Sequence, residues 1–180
     1  MTHQAAVRLA PEVHFTPGKS LEGECNLELL GGISLYARIV IQPQSTPLQT
    51  IWRLKSNEDA SALLLLLDEQ DDLVLSLASQ SIRVPVAAAS PFYGRPIVLA
   101  AHAMVADEKL TLTLQLDGEL QMLDEGSRPG AIHFSKQLMG GDNGEFVLAE
   151  VVVTRTLSDI DQQNMLRYLH SRNPSTPSAI

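Results

Sequence analysis

From Gly140 to Arg172 the chain reads GGDNGEFVLAEVVVTRTLSDIDQQNMLRYLHSR. A Gly/Asp/Asn turn leads into a long apolar strand, and the strand runs directly into a Ser-capped helix. Before it, the chain breaks repeatedly into short strands separated by turn residues. This order constrains the fold strongly. A parallel sheet needs helices over both faces, and one helix cannot supply them. The strands must therefore cover one another as antiparallel sheets stacked face to face.

The expected strands are Val13–Phe15, Asn26–Leu30, Ile33–Ile41, Leu48–Leu54, Ala62–Leu67, Leu73–Leu77, Ile82–Val86, Ile97–Met104, Leu110–Leu116, Glu119–Met122, Ala131–Ser135 and Phe146–Thr154. Leu110–Leu116 alternates cleanly, with four leucines on one face and Thr111, Thr113 and Gln115 on the other. Ile33–Ile41 alternates imperfectly, which fits a bulge. Ala62–Leu67 is an unbroken apolar run; its shortness and flanking turns favour a strand over a helix fragment. Pro85 lacks a ladder donor and marks an edge or a strand end. Asp117-Gly118 is a hairpin turn, Ala106–Lys109 another, and Asp124–Gly130 reads as a loop.

The helix spans 158–171. Ser158 caps it, Asp159 and Asp161 sit at its positive end, and His170 sits near its negative end. Met165, Leu166 and Leu169 form its apolar stripe, with Ile160 behind and Tyr168 at the border. Roughly ten to twelve short strands at similar spacing give an all-β, two-sheet antiparallel sandwich with one C-terminal helix, a barrel being the alternative. Residues 1–172 read as a single domain and 173–180 as a flexible tail.

The chain has 180 residues, enough for one domain with a real core. Apolar residues make up 44%, which argues against disorder. A net charge of -8 gives no basic footprint for nucleic acid or anionic membranes. The single Cys25, in an alternating segment, excludes an internal disulfide and reads as a buried thiol. The N-terminus lacks the layout of a signal peptide, and the longest apolar run is too short to span a bilayer. A soluble chain made in the cytoplasm is the expectation.

Active-site patterns are missing. Paired glycosidase carboxylates do not occur at working spacing, and Glu22-Gly23-Glu24 reads as the polar face of a strand. No nucleophile elbow is present, and His14, His102 and His133 are isolated, without metal-ligand spacing. His102, among alanines in a strand, reads as a satisfied sheet histidine. Sugar binding needs an aromatic platform with polar groups around it. Phe92, Tyr93 and Arg95 in the SPFYGRP loop are the candidates, with Trp52 a further one. The loop reads equally as a plug closing one end of the sandwich, and Trp52, on a face with Leu54, equally as core.

Three segments resemble the laminin-G-like, concanavalin-A-like jelly-roll superfamily. They are ISLYARIVI with LQTIWRL, PIVLAAHAMVADEKLTLTLQLDGEL (Pro96 to Leu120), and GEFVLAEVVVTRTLSDIDQQNMLRYL (Gly144 to Leu169), where Ala149, Glu150, Val151, Leu157, Ser158 and Asp159 occupy the family's positions. The family's Trp-His before the middle strand is replaced by Arg95-Pro96. The resemblance implies a rim Ca²⁺ site, for which Asp107, Asp117, Asp142 and Asn143 are candidates; turn geometry explains the same residues. It also implies a choice of roles: a non-enzymatic structural or attachment protein, a carbohydrate-binding module, or a divergent hydrolase. A stand-alone copy without an export signal fits a bacteriophage virion component that contacts other virion proteins or copies of itself as a homo-oligomer. A lectin-like module with a glycan ligand is the alternative.

Overall fold

The computed structural model describes residues 5–7, 13–16, 18–41, 49–56, 62–86, 92, 94–127, 129–141 and 146–171. In chain order the strands are β1 (Ala5–Val7), β2 (Val13–Phe15), β3 (Ser20–Glu28), β4 (Gly32–Ile41), β5 (Gln49–Lys55), β6 (Ala62–Leu67) and β7 (Asp72–Leu77). They continue as β8 (Gln80–Pro85), β9 (Pro96–Ala106), β10 (Lys109–Leu116), β11 (Glu119–Ser127), β12 (His133–Gly140) and β13 (Phe146–Arg155), followed by helix α1 (Asp159–Ser171).

All strand pairs are antiparallel and form two sheets. One is a seven-stranded sheet, ordered β1-β13-β4-β9-β10-β11 with β2 also on β13. The other is six-stranded, ordered β3-β12-β5-β6-β7-β8. Period-2 alternation turns one face of each sheet inward. Leu35, Ile39, Leu99, Leu112, Leu114 and Val153 from the first meet Trp52, Leu54, Leu65, Leu75, Ile82 and Phe134 from the second. Each fully buried Leu or Ile contributes roughly 1.5–3 kcal/mol.

The outer face of the seven-stranded sheet has its own small cluster: Tyr36, Val98, Ala100 and Val152 lie under Leu169, with Leu157, Met165 and Leu166 packed alongside. This is the docking site of α1, as the apolar stripe anticipates. Ser158 caps the helix reciprocally. Its Oγ accepts from the Asp161 amide at 3.3 Å and donates to Asp161 Oδ2 at 2.7 Å. Ile160 does not lie behind the stripe; it stands exposed in the first turn. The Tyr168 hydroxyl donates to Glu150 Oε1 at 2.7 Å and ties helix to sheet.

β1 has no counterpart among the expected strands, and three others differ in extent. β3 begins at Ser20, β11 runs on to Ser127 through what reads as a loop, and β12 extends to Gly140. β3 and β11 end their sheets, and most of their residues are exposed. Polar residues fill them without the alternation that marks a half-buried strand. β8 is the other edge of the six-stranded sheet, opposite β3, and Pro85 is its last residue, as expected of a strand lacking a donor there.

Gly140 is required where it stands. Its φ of +72° favours glycine, and an added Cβ would strike the Phe15 ring. That ring stacks on Phe146 at a centroid distance of 4.7 Å.

Candidate functional site

Two connections meet at one end of the sandwich: the segment entering β9 and the β10–β11 turn. In that turn Asp117 and Gly118 have φ of 52° and 84°, as an Asp-Gly hairpin requires. The Asp117 amide donates to the Val98 carbonyl at 2.7 Å, and its Oδ1 accepts from the Val98 amide at 2.9 Å. Its Oδ2 accepts from Arg95 Nη2 at 2.6 Å.

Arg95 also donates from Nη1 to the Pro96 carbonyl at 3.2 Å, and its Cζ lies 5.7 Å from the Phe92 ring centroid. Phe92 is half-buried against the core. The Gly94 amide donates to the Ile41 carbonyl at 2.9 Å, anchoring the segment to the end of β4. A guanidinium with 45% of its side chain exposed is thus fixed between an aromatic ring and a carboxylate.

The structure brings together Phe92, Arg95 and Asp117 from the sequence candidates. Trp52 is elsewhere, in the six-stranded sheet and only 1% exposed, so its indole offers no stacking face to solvent. Tyr93, Asp142 and Asn143 lie outside the described residues. Asp107 sits in the β9–β10 turn, at the opposite end of β10 from Asp117. Asp107 and Asp117 thus stand at opposite ends of β10, and both Asp117 carboxylate oxygens accept hydrogen bonds. Among the described residues, no three His, Cys, Asp or Glu side chains converge as a metal cage.

Several other polar groups have structural partners. Glu22 and Glu24 lie exposed on β3, with Glu22 3.9 Å from Lys136. Cys25 is half-buried; its thiol donates to the Phe134 carbonyl at 3.5 Å, and burial pushes its pKa up. His102 Nδ1 lies 2.9 Å from Ser34 Oγ on the outer face of the seven-stranded sheet. His102 is 3% exposed, and burial pushes its pKa down to about 4, so the imidazole is neutral at pH 7. Tyr36 meets it edge to face at 5.3 Å; burial lifts the phenol to about 12, partly offset by Ser34.

Sequence reasoning missed Asp68 and Gln80. Asp68 accepts from the amides of Gln70 (2.9 Å) and Asp72 (3.0 Å) and pairs with Arg83. Gln80 Nε2 donates to the Asp124 carbonyl at 2.9 Å and joins the two sheets. Asp68 takes two amides of its own turn locally, while Arg83 and the Gln80–Asp124 pairing come from segments farther along the chain. Two shallow cavities, of about 360 and 450 Å³, lie at the Asp107 end and include no candidate residue.

No family model and no curated protein sequence matches the chain. Solved structures do. The ligand-binding domain of botulinum neurotoxin serotype D, in complex with N-acetylneuraminic acid, matches with a TM-score of 0.71 and 10% identity, over 93% of this chain and 45% of the toxin chain. A structure of botulinum neurotoxin type C, whose cell entry depends on two ganglioside molecules, matches with a TM-score of 0.68 and 14% identity over the same shares. The carbohydrate recognition domain of Emp47p matches with a TM-score of 0.51 and 11% identity, over 87% of this chain and 88% of that domain.

The fold is a two-sheet antiparallel β-sandwich similar to those of these domains. This chain spans under half the length of the toxin chains it matches. The serotype D and Emp47p neighbours are a ligand-binding domain and a carbohydrate recognition domain, and at such identities the likeness is one of fold.

Proposed function

We propose that this lectin-like sandwich is a non-enzymatic carbohydrate-binding module that engages an acidic glycan at its Phe92–Arg95–Asp117 end. One observation carries the reading: Arg95 is exposed yet held against Phe92 by Asp117. A preorganised guanidinium recognises a carboxylate at low ordering cost, and a half-buried ring beside it adds apolar contact. The fold neighbours support the glycan class, since their ligands include N-acetylneuraminic acid and gangliosides.

Titration calorimetry with a sialylated and an asialo oligosaccharide tests the reading. The sialylated sugar should bind, the asialo form more weakly, and Arg95→Ala should weaken the first by roughly tenfold. Sialoside binding unchanged in Arg95→Ala, or no glycan bound at all, would discard it.

A second reading is attachment through protein contacts, as in the virion role considered from the sequence. The exposed apolar residues of β11 favour protein contacts, and none of the three neighbours described above is a virion protein.

A further inference from the structure

The outer face of the seven-stranded sheet carries a buried polar row beside the seat of α1. Across four neighbouring strands the register sets Thr154, Ser34, His102 and Thr113 side by side, and all four are buried. His102 reaches Ser34 through Nδ1, while its Nε2 is buried without a hydrogen-bond partner. In either neutral tautomer that nitrogen goes unpaired. In the imidazolium it would carry a proton with no acceptor within reach. Desolvation holds the pKa near 4, and among the described residues no carboxylate offsets it.

His102 and α1 share one wall. The Tyr36 ring meets the imidazole edge to face at 5.3 Å and lies in the apolar cluster under Leu169. Ala100, two residues before His102 on the same face of β9, belongs to that cluster too. Lifting α1 off Tyr36 and Ala100 therefore opens a path for water to the imidazole.

The helix is also the element on this face that opens most cheaply. Of its thirteen residues only Leu169 is buried, whereas β4 and β9 are hydrogen-bonded on both sides. A helix of this length is marginal without a surface to pack on. Protonation of His102 is relieved by local opening of α1 before the sandwich gives way.

The surrounding charges leave His102 in control. It faces Ser34 and Tyr36 on β4, Thr113 on β10, and Ala100 and Met104 on β9. Among these Tyr36 alone titrates, and burial lifts it to about 12. Farther along the face, Glu150 of β13 stands opposite Arg38 of β4, and α1 brings Tyr168, bonded to Glu150, and His170.

We propose that α1 is an acid-released latch: protonation of His102 frees the helix from the outer sheet face while the two-sheet sandwich stays folded. Release uncovers Tyr36, Val98, Ala100 and Val152 as an apolar face. The released state binds the proton more tightly, so docking is strongest above pH 6.5 and weakens as pH falls toward 4, by roughly a hundredfold across that window. The latch shares no residue with the Phe92–Arg95–Asp117 site.

Residue-resolved hydrogen exchange by NMR between pH 7 and 4, corrected for intrinsic rates, tests it. Amides of 162–171 should lose protection by roughly a hundredfold, while those of β9 and β10 keep theirs. His102→Gln should hold α1 in place down to pH 4. Where that variant fails to fold, the His102 imidazole resonance of the native chain replaces it, and its titration should share a midpoint with helix release. Glu150→Gln, which keeps an acceptor for Tyr168, should leave that midpoint unchanged. The proposal is overturned if helix and sheet lose protection together, or if α1 stays protected at pH 4. It is equally overturned if release and the imidazole titrate apart, or if Glu150→Gln moves the release and His102→Gln does not.

Discussion

The two turns that bound β10 make an instructive pair. Each places an aspartate at positive φ, Asp107 at 48° and Asp117 at 52°. Asp107 is followed by Glu108, also at positive φ, and both are exposed. Asp117 is followed by Gly118, and its carboxylate holds the Val98 amide and Arg95. One aspartate serves a turn, while the other fastens the entrance of β9 and orients the candidate binding cation. Residue type and turn geometry are shared, so the difference comes from what folds against each turn.

The largest expected effect asks whether burial outweighs turn chemistry. His102 titrates near 4 in the fold against about 6.5 unfolded, because burial disfavours its charged form. The unfolded chain therefore binds the proton first as pH falls. Stability from this group is fully present above pH 6.5, declines toward pH 4, and falls by roughly 3 kcal/mol across that window. Urea melts at steps from pH 7 to 4 should show this slope, and His102→Gln should flatten it. An unchanged slope in the variant would place the acid sensitivity elsewhere.

Asp117→Ala comes next. It strands the Val98 amide, removes the Arg95 partner and puts alanine at positive φ, for an expected loss of about 2–3 kcal/mol. Chemical denaturation measures it, and sialoside binding should fall in parallel. Arg95→Ala leaves the Val98 bond intact. The ion pair is largely exposed, so its removal should cost no more than about 1 kcal/mol. Asp107→Ala should cost least, about 0.5–1 kcal/mol, from turn strain alone. If Asp107→Ala proves as costly as Asp117→Ala, the contrast between the turns collapses.

Much of the scaffold was legible in the chain. The leucines of β10 alternate, the Asp-Gly pair turns the chain into β11, and Ser158 caps α1; all are local signals over a few residues. The edge strands were read short. β11 carries Asp124-Glu125-Gly126 inside a strand because its exposed faces impose no apolar alternation. At the candidate site, loop composition pointed to Phe92 and Arg95. That Asp117, some twenty residues later, holds Arg95 in place has no local signature. Trp52 shows the converse: a lone tryptophan reads as platform or core until the opposing sheet buries it.

The sequence by itself determined the elements: short antiparallel strands, their turns, and a single capped amphipathic helix. Those follow from backbone sterics, side-chain periodicity and hydrogen bonds between near neighbours. Tertiary structure decided which polar groups became partners and which apolar residues stayed outside. It set Arg95 on Asp117, buried His102 against Ser34, and left Leu120 and Leu123 on an open edge. Pairing and exposure depend on distances between segments remote in sequence, and those distances exist only once the two sheets have packed.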